Sequence, residues 1–277
     1  MAYAGGIDHL LDMSHVLLKH KDEIAEGVLT LVLNRPDQRN SLTRELMSEL
    51  SLAISTAGDD AEVRVIVLKS NGPAFCAGHD LKEMNGRRSD PDGGKQFYAD
   101  TMRQCSAMMQ SIVRCPKPVI ARVHGIATAA GCQLVASCDL AVAADTAKFA
   151  TPGVNIGLFC STPMVALSRN LSRKHAMEML LFGEMQSAER AEEFGLINRV
   201  VAEDELDAEI KRFAEKIASK STYAIAVGKE AFYEQVEQKL SDAYDYASDV
   251  MVQNMLAKEA EEGIGAFLGK RKPKWSK

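Results

Sequence analysis

Two loops rich in small residues have the composition and position to act chemically on a polar ligand. The first, residues 127–131 (ATAAG), joins an apolar, β-branched run that closes at Gly125 to residues 132–137, which have the composition of a short buried helix. The first backbone N–H groups of a helix lack intrahelical partners and carry the positive end of its dipole. Because small side chains let a ligand approach this backbone, such a helix start can stabilise an anion, or an oxygen that becomes one. The open alternative is that Ala and Gly here only permit tight packing of helix against strand.

The second loop, residues 70–80 (SNGPAFCAGHD), follows an aliphatic run at 63–68 that predicts a fully buried strand. Loops after buried strands commonly carry function. His79 brings the one imidazole near this inferred site and could act as an acid or a base. Asp80 could instead order its own loop through local hydrogen bonds to the backbone.

The elements that must position these loops follow a strand–strand–helix–strand order, and similar units recur in the second half of the chain. Strands are predicted at 15–20, 27–33, 63–68, 118–123, 139–144, 148–150 and 197–201, and helices at about 43–57, 96–114, 132–137, 164–169 and 175–182 and after Ser187. From 204 to 268 the sequence predicts only helix, and its composition shifts to Ala, Glu and Lys. We therefore divide the chain into a core of residues 1–203 and a helical region of residues 204–277, whose basic end at 270–277 is predicted to be solvated.

Composition and charge exclude several classes of protein. The chain has 277 residues, 46% of them hydrophobic and 26% charged, which is ordinary for a globular protein, and its net charge of −5 argues against a nucleic-acid partner. No apolar run approaches the ~20 residues of a membrane helix. No Arg or Lys precedes Lys19, so we expect neither a secretory signal nor a transit peptide and predict a cytoplasmic location. Six dispersed cysteines without a CxxC pair predict buried thiols rather than disulfides or a metal site.

Five stretches of the chain, taken together and in order, resemble the crotonase (enoyl-CoA hydratase/isomerase) superfamily. They are NRPDQRNSL (34–42), AFCAGHDLKEM (74–84), KPVIARVHGIATAAGCQLVASCDLAVAADTAKFATP (117–152), SAERAEEFGLINRVV (187–201) and GIGAFLGKRKP (263–273). The resemblance implies an α/β fold of the ClpP/crotonase kind, a spiral of ββα units with a C-terminal helical region that forms a homotrimer or a hexamer built as a dimer of trimers. The chain is most similar to the enoyl-CoA hydratase domain-containing branch, whose active site departs from that of standard hydratases.

This resemblance also implies roles for individual residues. The backbone N–H groups of Ala77 and Ala130 would form an oxyanion hole for a thioester carbonyl. Ala130 stands where the family usually has Gly, so this role requires a negative φ there. Both glutamates of standard hydratases are replaced, one by Gln133 and one by Gly153. Because an amide cannot act as general acid or base and Gly has no side chain, ordinary hydration of an enoyl-CoA is not expected.

The remaining candidates surround the same inferred pocket. By the resemblance, the coenzyme A moiety would bind along the loop before the first helix and the loop around Ala77. These loops offer the Arg39 and Lys82 cations and the backbone from Cys76 through His79 and Asp80 to Leu81. Asn155, Cys160 and Ser161 join Gly153 in lining the pocket. The alternative for Arg39 and Lys82 is that each is an ordinary solvated side chain. The alternative for Cys160 is that it is a small buried hydrophobic residue. No metal or prosthetic group is expected, and the coenzyme A thioester enters as substrate.

Two classes of function follow from the resemblance. The first is an acyl-CoA enzyme of the hydratase or isomerase type that stabilises a thioester enolate without the usual glutamates. The second is an acyl-CoA-binding protein with weak or no catalysis. A different reaction on the same scaffold, such as thioester hydrolysis or decarboxylation, remains open, and the acyl chain is not specified.

Overall fold

Ten strands in two sheets build the centre of the protein, whose computed structural model describes residues 16–276. In chain order they are β1 (Leu17–Lys21), β2 (Val28–Leu33), β3 (Val65–Ser70), β4 (Ala74–Cys76), β5 (Val119–Val123), β6 (Ile126–Thr128), β7 (Leu140–Ala144), β8 (Lys148–Ala150), β9 (Gln186–Ser187) and β10 (Arg199–Val201). His15, which opens the first predicted strand, and most of the N-terminal stretch used to predict the cellular location lie outside the described residues.

The larger sheet has the strand order β1-β2-β3-β5-β7-β10 and is parallel except for the antiparallel pair β1–β2. β2 and β3 are buried along most of their length, as expected for parallel strands covered on both faces. The smaller sheet has the order β4-β6-β8-β9, and its first three strands are parallel. Since β4 and β6 run parallel and side by side, the loops that follow them leave the sheet at the same edge.

Eleven α-helices surround the sheets within the described residues. They are α1 (Arg44–Asp59), α2 (Leu81–Asn85), α3 (Lys95–Arg114), α4 (Ala130–Ser137), α5 (Pro163–Asn170), α6 (Arg173–Phe182), α7 (Ala188–Phe194), α8 (Leu206–Ala218), α9 (Thr222–Gln235), α10 (Leu240–Leu256) and α11 (Lys258–Leu268). Thr43 and Ser187 cap α1 and α7 with their side chains, and Gly183 and Gly195 end α6 and α7 in the left-handed conformation. These four ends agree with the sequence predictions.

Two apolar cores lie on the two faces of the larger sheet. The main core packs α1, α3 and α4 between the two sheets. The second core joins the other face, through residues such as Val65 and Ile120, to Leu206, Ile210 and Ala214 of α8. Helix α8 is therefore part of the sheet packing, although it lies just beyond the predicted boundary at 203/204, which stays a prediction.

Helices α9 and α10 contain no buried residue, and one polar cluster attaches α9 to the core. The Lys229 ammonium pairs with Asp139 at 2.7 Å and donates to the Ile112 and Lys117 carbonyls at 3.0 Å each. The Tyr233 hydroxyl donates to the second oxygen of Asp139 at 3.0 Å. Burial raises the pKa of Asp139, against the pull of the Lys229 charge. The cluster satisfies both oxygens of this carboxylate within the described structure.

The basic tail is exposed along most of its length, as the sequence predicts, but hydrogen bonds fix it to the helices. Arg271 forms a bidentate pair with Glu262 at 2.6 and 2.7 Å, and the Lys274 N–H donates to the same carboxylate at 2.6 Å. The Trp275 indole donates to the Ser219 carbonyl at 2.9 Å. The chain therefore folds back along α11 onto the end of α8, a contact that composition alone does not reveal.

No helix within residues 16–276 is long and apolar enough to cross a lipid bilayer. The same residues include no group of three or more His, Cys, Asp or Glu side chains that could hold a metal ion.

Candidate active site

The loops after β4 and β6 touch each other where they leave the smaller sheet. A Cβ on Gly131 would overlap the Cys76 carbonyl, and one on Gly78 would lie 3.0 Å from the Ala129 Cβ and 3.2 Å from the Ala130 nitrogen. Only glycine allows the two backbones to approach this closely. The parallel pairing of the two short strands thus brings the two predicted functional loops together.

The free N–H of the first loop belongs to His79. The Leu42 N–H donates to the Gly78 carbonyl at 2.7 Å, and the Asp80 N–H donates to the Leu42 carbonyl at 3.1 Å. Because both flanking groups face Leu42, the His79 N–H points to the opposite side of this extended segment. No acceptor within the described residues takes it.

The predicted donor Ala77 requires correction. Its N–H donates to the Arg39 carbonyl at 3.0 Å and is not available to a ligand oxygen. The chain turns at Gly78, which has a φ of +88°, and this turn redirects the next peptide. Gly78 is the signal in the sequence from which the change of donor could have been inferred.

The free N–H of the second loop belongs to Ala130, the first residue of α4. The first helical hydrogen bond runs from the Gln133 N–H to the Ala129 carbonyl at 3.0 Å, so the Ala130 N–H has no partner within the helix. Positive φ falls on Ala129, which adopts φ 50° and ψ −118°, and not on Ala130. Ala130 therefore meets the condition stated above, that its φ must not be positive. The strained conformation lies one residue earlier, at Ala129.

Two buried side chains close to these N–H groups carry polar atoms without partners. Both ring nitrogens of His79 are buried and unpaired, and burial lowers the pKa of this imidazole below its ordinary value. Gln133 is 4% exposed and its Oε1 is unpaired. Because helical side chains tilt toward the N-terminus, the Gln133 side chain lies over the first turn of α4. The site is therefore polar but uncharged at neutral pH.

Asp80 has a structural role. It caps α2 by accepting from the Lys82 and Glu83 N–H groups at 3.0 and 3.3 Å, and it pairs with Arg35 at 3.1 Å and with the Ser41 hydroxyl at 3.2 Å. Partial burial would raise the pKa of Asp80, but these hydrogen bonds together hold it below its usual range. Of the two roles that the sequence left open, the geometry favours the ordering of the loop.

The loop where the second glutamate would be expected contains no carboxylate between 152 and 161. A Cβ on Gly153 would lie 2.9 Å from both the Cys160 Sγ and the Leu158 carbonyl, so a larger residue would require the loop to move. Asn155 donates to the Gly183 carbonyl at 3.1 Å, and Ser161 donates to the Phe159 carbonyl at 3.3 Å. Burial raises the pKa of the Cys160 thiol. These four predicted pocket residues therefore lie in a loop that packs on itself and, through Asn155, on the end of α6.

The predicted coenzyme-binding cations lie on the surface. Arg39 and Lys82 are exposed, their side chains form no ion pair within residues 16–276, and Leu81 beside them is 56% exposed. Both cations can therefore meet an anionic group from solvent. Cys76, by contrast, is fully buried, and burial raises the pKa of its thiol to about 12, which leaves its backbone as the only part that can bind a ligand.

Comparison with known proteins agrees with this architecture. A family model described as Enoyl-CoA hydratase/isomerase matches residues 23–277. The chain belongs to this family. A rat member, enoyl-CoA hydratase domain-containing protein 3, mitochondrial, is 47% identical over 251 residues, which cover 91% of this chain and 82% of the relative.

Two solved structures of this family confirm the fold class. A structure described as enoyl-CoA hydratase from Mycobacterium smegmatis has a TM-score of 0.89 and 52% identity, covering 94% of this chain and 98% of that one. The human enoyl Coenzyme A hydratase domain-containing protein 3 has a TM-score of 0.88 and 46% identity, covering 94% and 100% of the two chains. The branch that the sequence resembles is confirmed by the second of these and by the rat relative.

The predicted cytoplasmic location is wrong by the same comparison, because the rat, mouse and human relatives are all named as mitochondrial proteins. The prediction relied on the lack of basic residues before Lys19.

Proposed function

We propose that this member of the enoyl-CoA hydratase/isomerase family binds an acyl-CoA thioester and stabilises its enolate through the backbone N–H groups of His79 and Ala130. The observation that carries this proposal is the pair of unpartnered N–H groups on two loops in direct contact. A thioester carbonyl gains negative charge when its α-carbon is deprotonated or when a nucleophile adds at its β-carbon. Two fixed donors stabilise that charge, and the loss of one typically reduces the rate on the order of 100- to 1,000-fold.

The proposed reaction is not the hydration that a pair of glutamates catalyses in standard hydratases. Gln133 takes the first of those positions and offers only an amide, while Gly153 takes the second and is closed in by Cys160 and the Leu158 carbonyl. Deprotonation next to the carbonyl, as in an isomerase, needs only an oxyanion hole and one proton acceptor. We therefore favour enolate chemistry over hydration.

The coenzyme would be held by charge at the entrance of the site. Arg39 and Lys82 are exposed and without ion-pair partners within the described residues, and a nucleotide phosphate binds such cations.

The active unit would be a homotrimer or a hexamer, as the resemblance implies. Helix α10 supports contacts between subunits, since it presents a row of exposed apolar side chains: Met251, Val252, Met255 and Leu256.

The proposal is tested by incubating the full chain with butyryl-CoA in D₂O and following deuterium at the α-carbon by mass spectrometry. We expect catalysed exchange, because the enolate forms and collapses at the site. Crotonyl-CoA is assayed in parallel for hydration, and we expect little turnover. Robust hydration, or binding of butyryl-CoA without exchange, would contradict the proposal.

The second of these outcomes would support the alternative function of an acyl-CoA-binding protein. That alternative is favoured by the lack of a carboxylate at position 133 and in the loop 152–161. Under it, affinity for acyl-CoA would persist while no member of a substrate panel would be converted.

A further inference from the structure

The His79 imidazole is unusual among the buried polar groups of the described residues. Unpaired buried side-chain atoms occur on four residues, namely Thr30, His79, His124 and Gln133. His124 still contacts the Gly72 carbonyl through Nε2 at 2.6 Å, whereas His79 has neither nitrogen paired. An unpaired buried polar group costs on the order of 1–3 kcal/mol, so its presence calls for a functional explanation.

Asp80 and the two thiols nearest in sequence to the N–H donors are unsuited to accept a proton. Asp80 is occupied by its cap and by Arg35, and its lowered pKa makes it a weak base. Cys76 and Cys132 are buried, and burial raises the pKa of each thiol to about 12. Gln133 does not titrate. His79 alone has an unoccupied lone pair in an uncharged, buried setting.

We infer that the His79 imidazole accepts the α-proton of the bound acyl-CoA and returns it, in place of the carboxylates that this chain lacks. This inference rests on the proposed function. In the step, the α-carbon–hydrogen bond breaks, its electron pair moves to the thioester oxygen as the enolate, and an N–H bond forms on the imidazole. Reversal of the step restores the thioester, with a deuteron from solvent when the reaction is run in D₂O, and no further reactant is needed.

The backbone position of His79 supports this role. Its N–H points away from Leu42, on a loop that contacts the start of α4, and would hold the thioester oxygen. The proposed transfer places the α-carbon beside that oxygen next to the ring of the same residue. One residue would thus stabilise the enolate through its N–H and exchange the proton through its side chain.

The pH dependence of the exchange follows from the surroundings of the ring. The charged groups of the neighbouring segments are the Asp80–Arg35 pair, the exposed cations Arg39 and Lys82, and Arg44 with Glu83. The buried thiols Cys76 and Cys132 stay neutral. Burial alone lowers the pKa of His79, without a contribution from any of these charges. The imidazole is therefore neutral at pH 7, and exchange should rise with pH through a pKa below 6.5 and stay level above it.

The test compares α-deuterium exchange of butyryl-CoA by the wild type, His79→Gln and the control His20→Gln, which replaces an exposed histidine. We expect His79→Gln to lose on the order of 100-fold or more of the exchange rate while its affinity for butyryl-CoA changes by only a few-fold. His20→Gln should match the wild type. The wild-type pH profile provides a second measurement that needs no variant.

Exchange that persists in His79→Gln, or a wild-type profile without a titration below pH 6.5, would overturn this inference and leave the proposed function standing. An absence of exchange in the wild type would overturn both.

Discussion

Ala129 determines where the second N–H donor points. Its φ of 50° and ψ of −118° belong to a region that glycine occupies far more readily than alanine. Such a conformation costs on the order of 1–3 kcal/mol and persists where the surrounding structure enforces it. Here the Ala129 N–H donates to the Ala150 carbonyl at 2.9 Å, which holds this residue against β8 while the next peptide turns toward the loop of Gly78.

Replacing Ala129 by Gly should therefore stabilise the protein. The relief of strain exceeds the added flexibility of the unfolded chain, and we expect the free energy of unfolding to rise by about 1 kcal/mol. Urea denaturation followed by circular dichroism measures it. The matched control is Ala130→Gly, where φ is not positive, and it should lower the stability by a similar amount. Equal effects of both substitutions would contradict the strain at Ala129.

The sequence predicted part of the site at this scale. Composition predicted a helix start after small residues, whereas the roles of Ala130 and Gln133 came from the resemblance. The structure has both residues on the first turn of α4. The change of donor from Ala77 to His79 was signalled only by Gly78, because the direction of a peptide depends on the turn there and on the pairing with Leu42. The strained conformation of Ala129 could not be predicted either, because it depends on contacts with residues distant in sequence.

Single elements were predicted well where their side chains have a clear period. The amphipathic helices α1 and α3 and the buried strands β2 and β3 start within a few residues of the predicted positions. The short strands β4, β6 and β9 were missed, because two or three residues contain too little alternation to show a period. Two of these, β4 and β6, align the loops of the site.

The contact between the C-terminal tail and α8 gives a prediction at the level of elements. The hydrogen bonds from Arg271 and the Lys274 N–H lower the pKa of Glu262 to about 2, from 4.5. A lowered carboxyl pKa means that this contact stabilises the fold fully above pH 4.5 and is lost as pH falls through about 2. Trp275 is the only tryptophan in the sequence, so its fluorescence reports the docking of the tail.

We expect Glu262→Ala to shift the Trp275 emission to longer wavelength at pH 7, because the tail leaves α8 and the indole enters water. The control is Glu261→Ala, which removes a neighbouring exposed carboxylate with no ion pair in the described part of the chain. Wild-type emission should stay constant from pH 7 to 4.5 and shift only on further acidification. An unchanged spectrum in Glu262→Ala would refute the docking.

At the scale of the whole molecule, the exposed apolar row on α10 is where we expect the proposed assembly to form its subunit contacts. Met251, Val252 and Met255 are each more than half exposed, and Leu256 is 83% exposed. The sequence predicted this helical region from its composition. The order of strands in the two sheets could not be derived from the residues, because pairing between distant strands leaves no local pattern. The resemblance implied only a spiral of ββα units.

Met251→Glu should separate the assembly. A carboxylate in an apolar interface loses its hydration without gaining a partner, so we expect a smaller mass by sedimentation velocity than that of the wild type. Gln253→Glu adds the same charge on another face of α10 and should leave the mass unchanged. A wild type that sediments as a monomer would contradict the predicted trimer or hexamer.

The Lys229–Asp139 cluster links the outer helix α9 to the segment that follows α4. Asp139 lies two residues after α4 ends, so the ammonium on α9 is bonded to the segment that anchors the candidate active-site helix. If α9 detached, the carboxylate would remain buried with its counter-ion removed, which typically costs 3–5 kcal/mol. If the outer helices form the proposed subunit contacts, this pair couples them thermodynamically to the candidate active-site helix, and a ligand that tightens one should strengthen the other.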